Sequence, residues 1–370
     1  MSLKAIRREE ENRVADSEKI LVNKTNLDST KRVSTPVGET LGEGEILLKV
    51  ERFALTTNNI TYAFAGAGLG YWNFYPEPDP WGCVPVWGFA TVIESQCAEI
   101  TVGDQVFGFL PTASHLVLKP AKIDDVAFFD STDHRADLFT WYNRYFRCAA
   151  DPVFTKDSAD VQPVLWPLFM TGWMLAEKIG NAADTIYISS ASSKTALSIA
   201  WSVKHQKCEA RSIGLTSKGN KGFVEGLGIY DEVQTYDDLK IDPALKSAIF
   251  VNVAGNGALC SEIHVALGDR LIESVALGAT HRAPDDGTLP MPGPAPELFF
   301  IPTIAEDRAA EEGFATTHQK FADAWHAFTP WASRWLELQL AHGVEGIEAS
   351  YRCVLDAKVA PQQAIICSWA

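Results

Sequence analysis

What the chain lacks narrows its class. No stretch reaches the roughly 20 consecutive apolar residues that a membrane span needs, and the opening MSLKAIRREEENRVADSEKI is too charged for the apolar core of a secretory signal. The cytoplasm is the expected location. No run of Lys and Arg offers a basic patch, and a formal net charge of −15 with an isoelectric point near 5.0 disfavours nucleic acid and anionic lipid alike. Small-molecule chemistry is expected instead, with neither a nucleic acid nor a membrane as partner. The seven cysteines (Cys83, Cys97, Cys148, Cys208, Cys260, Cys353, Cys367) form no CxxC pair, no His-flanked metal spacing and no even disulfide framework. They read as reduced, mostly buried, small apolar side chains.

The 370 residues, 46% of them hydrophobic, suffice for two domains with real cores. Up to about residue 125, GEGEILLKVERFAL, VPVWGFATVIES and ITVGDQVFGF alternate apolar and polar positions, the period of half-buried strands. DHRADLFTWYNRYFRC and VLWPLFMTGWMLAEKIG have helical spacing, the second ending at Gly180. Strand and helix then alternate: strand 185–190, helix 193–205, strand 210–216, helix 219–227, strand 232–235, strand 248–253, helix 257–267 and strand 270–277. This order predicts a doubly wound parallel sheet. APDDGTLPMPGPAPELFFIP, residues 283–302, holds too many prolines for a helix or inner strand and reads as a loop or lid. A helical period runs from 314 to 342, with Thr329 and Pro330 placed to start its second half, and the chain closes with a further helix and strand. The predicted fold class is therefore α/β: a β-rich domain over 1–150 with a return at 343–370, and a nucleotide-binding domain over 151–342 with a Pro-rich loop and helical insertion at 281–342.

The most consequential absence is of glycine in one turn. DTIYISSASSKTALSIAW, residues 184–201, reads as a strand, a tight turn and a helix, the opening of a nucleotide-binding βα unit. A phosphate at a helix start is held by free N–H groups and the helix dipole, and glycine serves only to give the turn room. Ala191, Ser193 and Ala196 fall on the three glycine positions of GxGxxG, while the hydroxyls of Ser190, Ser192, Ser193 and Thr195 and the ammonium of Lys194 are potential phosphate donors. A Walker A loop is excluded, because it needs glycine at Ile188 and Ser193. Read alone, the turn is equally an ordinary serine-capped helix start. About 25 residues on, where an NAD-binding unit carries Asp or Glu, stand Thr216, Ser217 and Lys218 with Asn220 close behind, a set that suits a 2′-phosphate. NADP(H) is the expected cofactor.

Several segments together resemble the medium-chain dehydrogenase/reductase superfamily: GEGEILLKVERFALTTNN its GroES-like domain, ITVGDQVFGF its VGDRV motif, GLGIYDEVQTY and NVAGNGAL its later nucleotide-binding strands. Within it the chain is most similar to the zinc-free quinone reductases, and in NNITYAFAG, SSASSKTA, GLTSKGN and GATH to a small bacterial family of unknown function. The resemblance implies a GroES-like domain, a Rossmann domain and a homodimer. It puts Thr56 and Phe89 at the catalytic zinc-ligand positions, where neither side chain ligates, so no metal is expected. It also implies that Lys218 contacts the 2′-phosphate, Tyr236 lies beside the adenine ribose, Thr171 near the nicotinamide, and Gly255, Asn256, Gly278 and Ala279 at strand ends facing it.

Without zinc, hydride transfer to a carbonyl or enone needs oxyanion donors and a proton source. The resemblance puts TTNNITYAFAGAGLGYW among substrate-facing residues and Thr61 at the position of an active-site tyrosine; Asn58 and Asn59 can hydrogen-bond a carbonyl, and Tyr62 beside Thr61 is either the proton donor or a buried aromatic with a satisfied hydroxyl. In WYNRYF, helical spacing puts Tyr142 and Tyr145 on one face, with Asn143 and Arg144 available to a carboxylate or phosphate; the alternative is an interdomain packing helix. His281 is either an acid/base group or a structural loop histidine. Tyr71 and Trp72, among other aromatics between 71 and 87, line a hydrophobic substrate pocket or pack a domain joint. Trp325, Trp331 and Trp335 read as core or subunit interface. The leading expectation is a zinc-free NADPH-dependent reductase of a small hydrophobic enone, quinone or related carbonyl. An NADP-dependent ketone/alcohol oxidoreductase and a non-catalytic NADPH-binding regulatory protein are the alternatives.

Overall fold

A computed structural model describes residues 16–37, 40–278 and 289–369. The chain divides into two units, Met1–Phe154 with Gln339–Lys358 and Ile365–Ala370, and Thr155–Leu338 with Val359–Ala364.

The first unit is β-rich. Its strands are β1 (Ser17–Asn23), β2 (Asn26–Thr35), β3 (Ile46–Leu55), β4 (Trp81–Cys83), β5 (Pro85–Ser95), β6 (Gln105–Pro111), β7 (His115–Leu118), β8 (Pro120–Ala121), β9 (Ala127–Asp130) and β10 (Arg144–Arg147), with helix α1 (Thr57–Phe64) after β3. β3, β5, β6, β10 and β9 follow one another in an antiparallel sheet. The predicted half-buried alternation is not what β6 shows, since Val106–Pro111 are buried without a break. Phe107 and Phe109 share one face of this strand, and Val106 and Leu110 are buried on the other.

Residues 133–147 correct the helical expectation. They form two short 3₁₀ turns, Asp133–Arg135 and Thr140–Asn143, and then β10. A long-range contact prevails over local spacing: Arg135 Nε meets Asp130 Oδ2 at 2.9 Å with both side chains buried, and Asn143 Nδ2 donates to Arg135 O at 3.2 Å. The pinned turn leaves RYF extended, antiparallel to β9 and β6.

The second unit begins with helix α2 (Gln162–Ile179) and winds through β11 (Thr185–Ile188), α3 (Lys194–His205), β12 (Arg211–Thr216), α4 (Lys221–Gly226), β13 (Glu232–Thr235), β14 (Ala248–Asn252), α5 (Gly257–Leu267) and β15 (Leu271–Ala276). The sheet order is β13-β12-β11-β14-β15 with every pair parallel, and β16 (Glu297–Leu298) adds a sixth parallel strand at the edge. The Pro-rich segment thus ends as an edge strand, and Ser261 Oγ and His264 Nδ1 hold its Pro290 and Pro292 carbonyls at 2.7 and 2.9 Å. β11 and β14 are wholly buried, as parallel strands covered by helices on both faces must be. On one face Tyr187, Ile213 and Phe250 pack against α5 through Leu259 and Ile263.

Helices α6 (Ile301–Glu312) and α7 (Phe314–Ala332) follow. Phe328 of α7 stacks on Phe169 of α2 at 4.2 Å, and Trp325 is fully buried, whereas Trp331 and Trp335 keep partial exposure. The predicted helix over 314–342 stops at Ala332, with Pro330 in its last turn rather than opening a second half, and ELQLAH, Glu337–His342, forms β17. Helix α8 (Gly343–Leu355) and β18 (Gln363–Ser368) complete the chain, with β18 antiparallel to β3.

Candidate functional site

The strand order of the second unit reverses between β11 and β14, and ligands of such sheets bind beyond the carboxyl ends of the strands flanking this switch point. The turn after β11 is SSASSKT. Its left-handed residue is Ser190, with φ of 51°, one residue before the position read as the first glycine, and Ser193 is extended. A non-glycine residue holds that conformation only when its surroundings impose it. Here the Ser190 N–H donates to Tyr236 Oη at 3.0 Å, and Tyr230 Oη donates to Ala191 O at 3.1 Å.

The missing glycine has a counterpart on the neighbouring strand. A Cβ at Gly214 of β12 would lie 2.9 Å from the Ala191 methyl and 3.0 Å from the Tyr230 ring, so Gly214 supplies the room that the turn does not. Ser193 caps α3, its Oγ accepting from Ala196 N at 3.2 Å. Among the described residues no acceptor meets the N–H groups of Lys194 and Thr195, the open donors of a helix start. The arrangement can hold an anion.

The side chains of the turn are less free than their types suggest. Ser192 Oγ accepts from Asn220 Nδ2 at 3.0 Å, which brings the segment after β12 to the turn. Thr216 is buried at the end of β12, while Ser217 and Lys218 are exposed just beyond it. Lys194 Nζ donates to the carbonyls of Pro361 at 3.0 Å and Gln363 at 2.6 Å, and burial lowers the ammonium to about 8. Thr171 Oγ1 donates within α2 to Pro167 O at 3.0 Å.

At the end of β14, Asn252 Oδ1 accepts from the N–H groups of Gly255 and Asn256, both at 3.2 Å, and the Asn256 side chain caps α5 through Leu259 N. Ser189 Oγ accepts from Val253 N at 2.9 Å, linking this turn to the first. Ser189 and Asn252 thus brace the switch point, a role set by pairing between strands remote in sequence. Gly278 follows β15, where a Cβ would come within 2.6 Å of Val253 O. Ala279 and His281 lie outside the described residues.

In the first unit, helix α1 starts with a capping box in which the Thr56 N–H donates to Asn59 Oδ1 at 2.7 Å, and Asn59 Nδ2 donates to Pro85 O at 2.9 Å. Asn59 is therefore structural. One turn on, the phenolic oxygen of Tyr62 accepts from Asn58 Nδ2 at 2.8 Å and from Trp87 Nε1 at 3.2 Å. Tyr71 and Tyr142 pair their hydroxyls at 3.0 Å, and the Tyr62 ring lies 4.6 Å from Tyr71 and 5.3 Å from Phe109. Burial raises the Tyr62 phenol above its ordinary range, with the Asn58 and Trp87 donors pulling the other way, and pushes Tyr71 up to about 12. Asn58, Tyr62, Tyr71 and Tyr142 thus converge. Tryptophan and phenylalanine at 87 and 109 complete the group, and the donor role of Trp87 depends on a strand that no local pattern joins to α1.

The remaining candidates go elsewhere. Trp72 is wedged between two glycines, for a Cβ at Gly66 or Gly82 would come within 2.2 or 2.5 Å of its indole. Thr61 is partly exposed and turns its Oγ1 back to Thr57 O at 3.5 Å. Tyr145 leaves Tyr142 to donate to Phe109 O at 2.8 Å, and Arg144 lies over the Phe129 ring at 4.7 Å, because β10 is a strand and alternates its sides. Thr56 and Phe89 serve as helix cap and buried strand residue. Among the described residues no cluster of three or more His, Cys, Asp or Glu is arranged to hold a metal ion, and no helix is long and apolar enough to cross a membrane.

Comparison with solved structures shows a fold shared with several reductases over nearly the whole chain. CurA from Vibrio vulnificus superposes with a TM-score of 0.59 at 12% identity, over 96% of this chain and 99% of its own. A Bacillus thuringiensis protein described as an NADPH:quinone reductase gives 0.61 at 10%, over 96% and 99%. A mutant of Etr1p solved with NADP and crotonyl-CoA gives 0.61 at 12%, over 95% and 99%. No curated protein matches the chain. Residues 53–360 match the family described as protein of unknown function (DUF2855), and with most of its length inside that match the chain belongs to this family.

Proposed function

We propose that the chain is a zinc-independent, NADPH-dependent reductase that delivers hydride to an α,β-unsaturated ketone, a quinone or a related small hydrophobic carbonyl compound. The observation that carries the reading is the first turn of the parallel sheet: a left-handed Ser190 held by Tyr236, room supplied by Gly214, and open N–H groups at Lys194 and Thr195. Ser217 and Lys218, exposed where an NAD site carries a carboxylate, favour a 2′-phosphate. CurA has also been solved with NADPH, and crotonyl-CoA in the Etr1p structure is an α,β-unsaturated acyl compound. The same reading takes the enzyme as a cytoplasmic homodimer.

When bound, the nicotinamide supplies the hydride. The chain's own part is the proton. Asn58 and Trp87 both donate to the Tyr62 oxygen and the Tyr142 hydroxyl bonds it as well, so the phenol is held to pass its proton to a substrate oxygen as negative charge builds there. The same two donors then stabilise the phenolate left behind. NADPH oxidation followed with enones, quinones and simple ketones tests the reading. Turnover that falls about 10²–10⁴-fold in Tyr62→Phe while NADPH affinity holds is the expected result. NADPH binding without turnover of any of these compounds would point to a non-catalytic protein.

A further inference from the structure

Lys194 is in an unusual place for a cation. It is the first residue of α3, where the helix dipole is already positive and a lysine is electrostatically disfavoured. Among the described residues no carboxylate pairs with it, and burial alone shifts it, without any charged neighbour contributing. The segment Val359–Ala364 has no titratable side chain, and neither has the turn from Ser189 apart from Lys194 itself. α2 carries only Glu177 and Lys178, in its last turn, and β18 only Cys367, which burial pushes up to about 12. What holds the ammonium is a pair of main-chain carbonyls, Pro361 O and Gln363 O.

We propose that Lys194 is a positioning residue of the cofactor turn: its charged ammonium ties the carbonyls of Pro361 and Gln363 to the start of α3, and dinucleotide affinity depends on that charge. The inference rests on the reading of the turn as a dinucleotide site. Its physical basis is that a neutral amine donates far more weakly to carbonyls than an ammonium does, and that two positive sources at one helix start are balanced only by an anion. A bound pyrophosphate favours the charged lysine and therefore raises its pKa. Affinity is then full below the free protein's value, about 8, and falls as pH rises above it until the bound protein's value is reached.

Two measurements on the full chain test this. The first is NADPH titration from pH 6.5 to 9.5 for the wild type, Lys194→Arg and Lys194→Met. The expected result is wild-type affinity weakening toward tenfold per pH unit above about 8, no such slope in Lys194→Arg, and weak, pH-independent binding in Lys194→Met. The second is amide hydrogen exchange of residues 359–364 without cofactor, corrected for the intrinsic pH dependence. Protection should be lost above about pH 8 in the wild type, retained in Lys194→Arg and absent throughout in Lys194→Met. NADPH affinity that is flat with pH and equal in the wild type and Lys194→Met would overturn the inference while leaving the cofactor reading intact. If NADPH binds at no pH, the cofactor reading fails, and the exchange experiment alone decides whether the ammonium is the tether.

Discussion

The methyl group of Ala191 stands where a side chain at Gly214 would have to go: a Cβ on that glycine would be 2.9 Å away. The space that a phosphate-binding turn ordinarily gains from its own glycines comes here from the adjacent strand. Gly214→Ala should therefore lower stability by about 1–3 kcal/mol, the usual cost of overpacking. Thermal unfolding measures it, and the double variant with Ala191→Gly should recover part of the loss, the Tyr230 ring accounting for the rest.

Ser190 pays a conformational cost that glycine would not. At φ of 51° its side chain is strained, whereas its contact to Tyr236 uses only the backbone N–H. Ser190→Gly should keep NADPH affinity and leave the unfolding midpoint unchanged or higher. Ser190→Val, β-branched in the same conformation, should lower both, by about 1–3 kcal/mol in stability. Unfolding and titration of the two variants side by side separate strain from side-chain function.

The donors on Tyr62 should show in the rate. Removing one, by Asn58→Ala or Trp87→Phe, takes a charge-assisted hydrogen bond worth about 1.5–3 kcal/mol from the developing phenolate, so kcat should fall roughly 10- to 100-fold with NADPH affinity unchanged. Because burial raises the Tyr62 phenol, its loss of the proton lies above pH 10, and Tyr62 as a donor gives a rate that is flat through neutral pH. An alkaline limb near pH 8 in kcat/KM would instead belong to Lys194, and should vanish in Lys194→Arg.

Arg135 and Asp130 form an ion pair 2.9 Å long with side chains only 1% and 2% exposed. Asp130→Ala leaves the guanidinium buried without its counter-charge and should cost about 3–5 kcal/mol. Chemical denaturation checks the magnitude.

The parallel sheet was legible because its signals are local: buried apolar strands, capped helices and short connections repeat from 185 to 276, and the observed boundaries lie within two residues of those read for most elements. Residues 133–147 were not legible, since their form is decided by Asp130 and by pairing with β6 and β9. ELQLAH alternates with period two at the end of a helical stretch, and only its partner β18 makes it a strand. The turn was recognisable as a βα turn, but its left-handed residue lies at Ser190 rather than at Ala191, because Tyr236 and Gly214 set the backbone from outside the motif. In the first unit, the family resemblance pointed to Asn58 and Tyr62, while Trp87 as a donor and Tyr142 as the partner of Tyr71 required the folded chain. Arg144 and Trp72 were drawn in by residue type, and strand alternation and a glycine-walled slot take them elsewhere.

The central claim is that a turn without glycine still holds a dinucleotide and prefers the 2′-phosphorylated form. Titration of the purified protein with NADPH and NADH, followed by nicotinamide fluorescence in the wild type and Lys218→Ala, tests it most directly. The account predicts NADPH binding at micromolar concentration or below, much weaker NADH binding, and a loss in Lys218→Ala that falls on NADPH alone. Failure of both cofactors to bind the wild type would contradict it, and the serine turn would then be an ordinary helix start.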